Sequence, residues 1–442
     1  MESNPFAKIN TMIFDYFAEW KDPQNGAVGP LRPRRCGEII RYHIDDFAES
    51  GDLSIATNAQ HWESFCQRLG CKLRRDQERL MEDPKQREDL MEISKNWLMP
   101  IKCMFELQMD RYGFSLDRAP VIRYALTTIL KQGMKYGHSE KSNKTLVLSL
   151  NLGANIGQPD GPIELRHYRL KKLYEIVKRL VECSNWRMVT GSDASADSLL
   201  VNVESQRCTL TQRQGHVCLV SGPVLEPGTK TATDLDLEDY LKIRSTHMRL
   251  MAVHRSGVRP VGFGSQEGLM RRLGEAAVIV DLFSVRHASA ACVVRSGMGS
   301  SKGASYILYN SARIETLLRS FDSQVKAGIY DPLPPLEMID LSVLEDEMDW
   351  QLIFACLLNF PEVLESTIDQ LEHGLVGVHL LIRYLENLAT VFSRYYRQKK
   401  VLVQKRDQLV PILYARITLV KAVRVVMNQA LSVLGIKPVD YV

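Results

Sequence analysis

The stretch from Leu413 to Ile436 reads LYARITLVKAVRVVMNQALSVLGI and decides how the carboxyl-terminal part of the chain folds. Its apolar side chains recur every three or four residues, which is typical of an amphipathic helix. Pro411 suits a first helical turn, where the missing N–H would have had no partner. Gly435 suits the position just after a helix, and Pro438 prevents the helix from resuming. We therefore predict a single basic helix between these two prolines.

Positive charge is concentrated in this part of the sequence. The 442 residues carry a net charge of only +4, with an isoelectric point near 8.5. Between positions 383 and 424, Glu386 and Asp407 are the acids, against ten basic residues: Arg383, Arg394, Arg397, Lys399, Lys400, Lys405, Arg406, Arg416, Lys421 and Arg424. A basic stripe on a helical unit is the electrostatic pattern of a surface that binds phosphate backbones. From charge alone, a solvated helix face is an equal alternative.

The composition argues against a membrane protein and against a metal protein. No run of eighteen or more apolar residues is present, so we expect no membrane-spanning helix. The start, MESNP, lacks the basic and apolar regions of a signal peptide. His61, Cys66 and Cys71 lie close in sequence, but no second pair of ligands completes a zinc pattern. We therefore expect a cytoplasmic protein with reduced thiols, no metal and no cofactor.

Hydrophobic periodicity divides the chain into three parts. Residues 1–35 form a poorly defined lead and linker. Residues 36–256 combine amphipathic helices with short apolar runs such as Thr145–Leu150, which predicts an α/β region. After a glycine-rich linker at Gly257–Gly268, residues 270–442 have helical periodicity throughout, which predicts a bundle. Helices are expected at 86–109, 270–285, 305–327, 343–360, 377–401 and 411–434.

Several stretches resemble arginyl-tRNA synthetases. Tyr306–Ile314 reads YILYNSARI and is similar to the helix that opens that family's anticodon-binding domain. Leu385–Tyr396 reads LENLATVFSRYY and is similar to the domain's penultimate helix, and the basic helix described above is similar to its last. Gly222–Thr233 lies where the family has its lysine-rich activation loop. The resemblance implies a degenerate, Rossmann-like synthetase region followed by a helical-bundle DALR anticodon-binding domain.

The departures from the synthetase pattern concern ATP binding. Amino-acid activation needs a His-x-Gly-His-type element at a helix N-terminus, because imidazoles and the helix dipole stabilise the phosphates of ATP. No such element lies ahead of residue 40, and Gly137-His138 and His373-Gly374 stand in other contexts. Of the clustered lysines in the activation loop, Lys230 alone remains. We therefore expect the synthetase fold without its catalysis, so that the chain is not an enzyme.

The pattern also resembles the DALR anticodon-binding domain-containing proteins, which are non-catalytic relatives of the synthetase. The stretch GIYDPLPP at Gly328–Pro335, Trp350 and the Phe360-Pro361 pair carry this resemblance. It implies an adapter that binds the anticodon arm of arginine tRNA. The adapter would present this tRNA to a separate S-adenosylmethionine-dependent tRNA methyltransferase that makes 3-methylcytidine. That second step rests on the resemblance alone.

The residues expected to contact tRNA surround a pair of tyrosines. Tyr396 resembles the synthetase aromatic that packs against a splayed anticodon base, and a stacked base contributes about 1–3 kcal/mol. Neighbouring cations would hold the RNA backbone without reading its sequence. We expect Arg313 to bridge helices within the bundle, and Tyr306 and Tyr309 to be core residues. The predicted tRNA-binding set is Arg383, Arg394, Tyr395, Tyr396, Arg397, Lys399, Lys400, Arg416, Lys421 and Arg424.

Two other functions stay open at this point. The chain could be a divergent arginyl-tRNA synthetase that arginylates tRNA in an ATP-dependent reaction, or a helical scaffold that has lost RNA binding. One of the two neighbouring tyrosines could also be a core residue. The loop Gly297–Gly303 lacks the spacing of a Walker phosphate loop, so we interpret it as a connector.

Overall fold

The computed structural model places the chain in two compact units. The first comprises residues 1–131, 333–362 and 403–419, and the second comprises 132–332, 363–402 and 420–442. Most of the predicted lead, positions 257–262 of the predicted linker and positions 297–301 of the predicted connector lie outside the described residues. The described residues are 4–20, 37–74, 78–152, 161–193, 195, 197–205, 215–256, 263–295, 302–403 and 407–438.

The described residues form the following elements, numbered along the chain. The helices are α1 (Pro5–Phe17), α2 (Phe47–Ser50), α3 (Ala59–Leu69), α4 (Pro84–Ser94), α5 (Arg118–Gln132), α6 (Leu165–Cys183), α7 (Leu237–Ser256), α8 (Phe263–Phe283), α9 (Lys302–Lys326), α10 (Glu347–Gln351), α11 (Phe360–Ile368), α12 (Val378–Gln398) and α13 (Val410–Leu434). The strands are β1 (Ala18–Trp20), β2 (Ile40–Tyr42), β3 (Leu53–Ala56), β4 (Cys71–Leu73), β5 (Ile101–Leu107), β6 (Arg111–Leu116), β7 (Thr145–Leu150), β8 (Arg187–Met188), β9 (Leu199–Glu204), β10 (His216–Val220), β11 (Val224–Leu225) and β12 (Ala291–Cys292).

An antiparallel sheet with strand order β2-β3-β6-β5 organises the first unit. Trp350 at the end of α10 is fully buried and stacks on Phe354. Its indole Nε1–H donates to Oδ1 of Asp52 at 2.6 Å, and the backbone N–H of Leu116 donates to the other carboxylate oxygen at 2.6 Å. Burial raises the pKa of Asp52 to about 6, although both hydrogen bonds oppose that shift. The carboxylate therefore joins α10 to the sheet.

A parallel sheet with strand order β10-β9-β7-β8 forms the α/β part of the second unit. Helix α6 connects β7 to the parallel strand β8, which is the crossover that parallel pairing requires. The guanidinium of Arg169 on α6 is fully buried and donates to the carbonyl oxygens of Gly222, Pro223 and Ser289 at 2.8–3.1 Å. This side chain therefore holds two loops of the second unit against α6.

Long helices make up the rest of the second unit. Helices α7 and α8 pack against each other, and α9 packs against both α8 and α12. Among the described helices, none combines the length and hydropathy needed to cross a bilayer. The predicted fold class, a Rossmann-like α/β region with a helical part, is confirmed by the parallel sheet and by these helices.

The division of the chain differs from the one predicted. The predicted α/β region over 36–256 contains an antiparallel sheet in the first unit and a parallel sheet in the second. Short apolar runs reveal strands but not their pairing, so the sequence could not separate the two sheets. The helix predicted at 86–109 ends at Ser94, and Pro100 disfavours a return to helical geometry in the residue before it. Strand β5 follows instead.

A buried ion pair joins α7 to α8. The Nε of Arg244 lies 2.8 Å from Oδ2 of Asp281, with side-chain exposures of 0% and 3%. The hydroxyl of Tyr240 donates to the same carboxylate at 2.7 Å. On the same two helices, Arg271 and Glu238 form an ion pair whose side chains are both more than half exposed. The two pairs differ in burial, so they allow a direct comparison.

We expect Asp281→Ala to lower the free energy of unfolding by about 3–5 kcal/mol, because it leaves the Arg244 charge buried without its partner. Glu238→Ala should leave the free energy of unfolding almost unchanged, because water screens the exposed pair. Urea denaturation of both variants measures the difference. Equal losses in the two variants would contradict this account of the α7–α8 contact.

Candidate nucleic-acid interface

Helix α12 presents a basic stripe, which we define as Arg383, Arg394 and Arg397. All three side chains are exposed. They lie on one face because separations of 11 and 3 residues return to nearly the same side of a helix with 3.6 residues per turn. The opposite face, including Leu385 and Phe392, is buried. At 1.5 Å per residue the stripe extends over about 21 Å. The structure therefore brings these three predicted cations together on one surface.

The two neighbouring tyrosines have different environments. Tyr395 is fully buried, whereas Tyr396 is 39% exposed. Successive residues of a helix point about 100° apart, so only one of the pair can face outward. The prediction that Tyr395 contacts tRNA is therefore wrong, because its ring belongs to the core. Tyr396 stays in the predicted set.

The ring of Tyr396 is held by Arg313 of α9. The guanidinium carbon of Arg313 lies 4.6 Å from the ring centroid of Tyr396 and 4.5 Å from that of Tyr309. Its Nη2 donates to the Tyr309 hydroxyl at 2.7 Å, and Nη1 donates to Oγ of Ser393 at 3.4 Å. We call this arrangement the Tyr–Arg–Tyr stack. The expectation that Arg313 bridges helices is confirmed, since it joins α9 to α12.

A cavity of about 820 Å³ opens beside the stack. The cations Arg313, Arg397, Lys399 and Lys400 line it, and no acid occurs among its described lining residues. Positive charge therefore predominates on a wall that also contains two aromatic rings. The remaining lining residues are Met248, Leu273, Ser305, Tyr309, Ala312, Thr316, Leu317, Ser320, Tyr396, Gln398, Val401 and Leu402.

The cations predicted on the last helix do not line this cavity. Nη1 of Arg424 lies 3.6 Å from a carboxylate oxygen of Glu315 on α9, in a partly buried ion pair. Burial lowers the pKa of Lys421, and Asp322 of α9 opposes that shift. Both side chains are half-buried and interact with acids of α9, and their assignment as tRNA contacts stays a prediction. Arg416 is also half-buried and belongs to the first unit.

The sequence did not predict several of the residues that line the cavity. Tyr309 is half-buried and forms part of the cavity wall rather than the core alone. The signal was present in the spacing of Tyr309 and Arg313, because residues four apart on a helix are neighbours. Met248 and Leu273 come from α7 and α8, far away in sequence. No local pattern connects these two residues to the cavity.

The fold and the basic, aromatic cavity indicate the class of domain to which this part of the chain belongs. The DALR anticodon binding domain family matches residues 307–442. This range contains most of the α9 wall and the whole α12 wall of the cavity. The predicted resemblance is confirmed, since residues 307–442 of the helical part match this domain.

The chain is similar to two kinds of named protein. DALR anticodon-binding domain-containing protein 3 of Danio rerio is 28% identical over 232 residues, covering 50% of this chain and 41% of that protein. The cytoplasmic arginine–tRNA ligase of Xenopus tropicalis is 33% identical over 139 residues, covering 31% of this chain and 19% of that protein. The matches to the DALR domain-containing proteins span about half of their length.

A solved structure extends the similarity to the whole fold. Arginyl-tRNA synthetase from Plasmodium falciparum superposes with a TM-score of 0.58 at 10% identity, covering 100% of both chains. Identity this low shows the fold alone. The expected synthetase-like architecture, an α/β region followed by a DALR domain, is therefore confirmed for this chain.

We expect Arg313→Leu to lower the free energy of unfolding by about 1–4 kcal/mol, because it removes two cation–π contacts worth roughly 0.5–2 kcal/mol each. Arg313→Lys should recover only part of the loss, since an ammonium group cannot stack flat between two rings. Chemical denaturation measures both effects. Lys326→Leu is the control, since it removes an exposed cation from the end of the same helix. A loss in Arg313→Leu no larger than in this control would contradict the stack.

Proposed function

We propose that the chain binds the anticodon arm of tRNA through its DALR domain. One unpaired base of the anticodon loop stacks on Tyr396, and the phosphates nearby contact Lys399 and Lys400. The observation that carries this proposal is an exposed aromatic ring, held by Arg313, at a cavity lined by four cations and no acid among the described residues. Splayed RNA loop bases are recognised by this combination of stacking and positive charge.

The basic stripe on α12 extends this interface. Phosphate contacts fix the register of the RNA, whereas aromatic and polar groups in a pocket read its bases. Arg397 follows Tyr396 and lines the same cavity, so a phosphate beside a stacked base can reach it, whereas Arg394 projects from the other side of the helix. Such binding weakens steeply with salt because it releases counterions. The proposal therefore assigns base contact to the cavity and backbone contact to the stripe.

The finer function follows from the family resemblance. The chain acts as an adapter without catalytic activity of its own, in the cytoplasm. It recognises arginine tRNA and presents the anticodon loop to an S-adenosylmethionine-dependent methyltransferase that forms 3-methylcytidine. The similarity to the DALR domain-containing proteins supports this role.

The loop at Gly222–Thr233 supports the absence of catalysis. Its lysine, Lys230, is exposed. Glu226 in the same loop accepts hydrogen bonds from Arg295 through both carboxylate oxygens, at 2.7 and 2.8 Å. Lys230 is the one lysine in this loop, so a single ammonium group is present there for a pyrophosphate. His373 lies in a short 3-10 turn and opens no long helix.

We expect Tyr396→Ala to weaken binding of an arginine-tRNA anticodon hairpin by roughly 5- to 150-fold, which is the loss of one stacked base. Tyr396→Phe keeps the ring and should bind like the unchanged chain. Lys399→Gln with Lys400→Gln should weaken binding and make it less dependent on salt. Fluorescence anisotropy at two salt concentrations measures both effects. Unchanged affinity in Tyr396→Ala would reject the stacking role.

The adapter role has its own test. Affinity purification of the chain from cells should recover a tRNA methyltransferase, and deletion of its gene should remove 3-methylcytidine from the anticodon loop of arginine tRNAs. Mass spectrometry of purified tRNA measures the modification. Unchanged modification after deletion would exclude the adapter. Arginine-dependent exchange of pyrophosphate into ATP by the purified chain would instead identify a divergent synthetase.

A further inference from the structure

A second group of basic side chains lies at the other end of α12. It consists of Arg383 and His379 on the first turns of α12, and Arg286 on the turn that follows α8. The guanidinium charges of Arg383 and Arg286 both act on the imidazole of His379. Arg286 and Arg383 are exposed, and His379 is half-buried. We call these three residues the second basic cluster. None of them lines the Tyr396 cavity.

The neighbour of Arg286 holds the cluster together. His287 is buried, and its Nδ1 lies 2.7 Å from the carbonyl oxygen of Val220 at the end of β10. Its Nε2 accepts the backbone N–H of Val376, two residues before α12, at 3.2 Å. The Nδ1–H tautomer satisfies both contacts. Arg286 is thereby fixed beside the start of α12, although 93 residues separate it from His379 along the chain.

The cluster has no acidic partner among the residues that the structure describes. Neither Arg286 nor Arg383 forms an ion pair with a described residue. Nδ1 of His379 is buried and has no hydrogen-bond partner. Helix α12 also begins without a side-chain cap and without an acid in its first turn. Three cationic or protonatable groups from two segments therefore lie close together, and no described carboxylate forms an ion pair with either arginine.

We propose that the second basic cluster binds a backbone phosphate of the same RNA whose base stacks on Tyr396. This inference rests on the proposed function. The 13 residues between Arg383 and Tyr396 correspond to about 20 Å along α12. Because 13 residues also end about 140° around the helix from where they start, an RNA that contacts both ends passes around α12 as well as along it. Arg286 and Arg383 supply guanidinium groups that bind a phosphate in bidentate geometry, and His379 supplies a third donor.

Binding at this site is linked to pH through His379. Burial lowers the pKa of His379, and Arg383 on its own helix lowers it further, as do Arg286 and His287 on the turn after α8. The unbound imidazole is therefore neutral at pH 7.5. A bound phosphate adds negative charge, which favours the protonated ring. Binding takes up a proton, so RNA affinity rises as the pH falls from 8 towards 6.

The experiment measures anticodon-hairpin affinity by fluorescence anisotropy over a range of salt concentrations. Arg286→Gln is expected to weaken binding roughly 10- to 150-fold, as for the loss of a charged hydrogen bond, and to reduce the slope of log affinity against log salt by about 1. Arg383→Gln should do the same from the helix side of the cluster. Arg187→Gln, which removes an exposed arginine on β8, is the matched control and should change neither quantity.

A pH series supplies a readout that a merely structural role would not move. Affinity of the unchanged chain should rise between pH 8 and pH 6, and His379→Gln should remove most of that rise. Inorganic phosphate is tested as a competitor. The site is supported if phosphate lowers the hairpin affinity of the unchanged chain to that of Arg286→Gln. Thermal stabilisation by phosphate with no effect on the hairpin would assign the cluster to a free anion and overturn the RNA contact.

Failure of this inference can be distinguished from failure of the proposed function. If Arg286→Gln and Arg383→Gln bind like the unchanged chain while Tyr396→Ala binds weakly, the second site is rejected and the cavity assignment stands. If Tyr396→Ala also binds normally, both are rejected. Circular dichroism of each variant checks that the fold is intact. The two arginines lie in different segments, so local misfolding in one variant would not affect the other variant.

Discussion

The guanidinium of Arg313 is the interaction on which the candidate site depends. It lies between the rings of Tyr309 and Tyr396, about 4.5 Å from each centroid, and so joins the first and the penultimate long helices of the DALR domain. An exposed tyrosine near the end of a helix would ordinarily sample several rotamers. Here one face of the ring is covered by a planar cation, so the ring is held in place before any ligand arrives. Pre-organisation of this kind reduces the entropy that a bound base would otherwise cost.

The described parts of the second unit offer two kinds of contact to an RNA. The cavity beside Arg313 combines stacking with four cations in a small volume, which suits the recognition of an unpaired base. The exposed face of α12 continues the positive charge over about 20 Å, which suits a backbone. His287 then links the start of this helix to the strand β10 through two backbone contacts. Through His287 the α/β part thus positions Arg286 beside the start of α12.

Local features of the sequence were sufficient for the amphipathic helices and for part of the site. Helix α12 could be predicted because its buried and exposed positions alternate with helical periodicity, and the stripe of Arg383, Arg394 and Arg397 follows from the same spacing. The choice between Tyr395 and Tyr396 could not be made, since one step along a helix changes the face and the packing partner decides which face is buried. Likewise, nothing near Arg424 reveals that Glu315, 109 residues earlier, neutralises it.

Non-local pairing limited the prediction of the fold in the same way. The two sheets have similar apolar runs, and only their hydrogen-bonded partners show that one is antiparallel and the other parallel. The contribution of Met248 and Leu273 to the cavity depends on how α7 and α8 pack, which no local pattern records. The synthetase-like fold was recognised from a few motifs in the DALR domain, since these motifs contain the residues that join α9, α12 and α13.

The central claim is that an unpaired anticodon-loop base stacks on Tyr396. Photo-crosslinking of the chain to a pool of cellular tRNA, followed by mass spectrometry of the attached peptides and sequencing of the attached RNA, tests it most directly. The account predicts crosslinks at Tyr396 or Tyr309 to anticodon-loop nucleotides, with arginine tRNAs enriched. Crosslinks confined to other surfaces of the chain, or to the acceptor stem of unselected tRNAs, would contradict it.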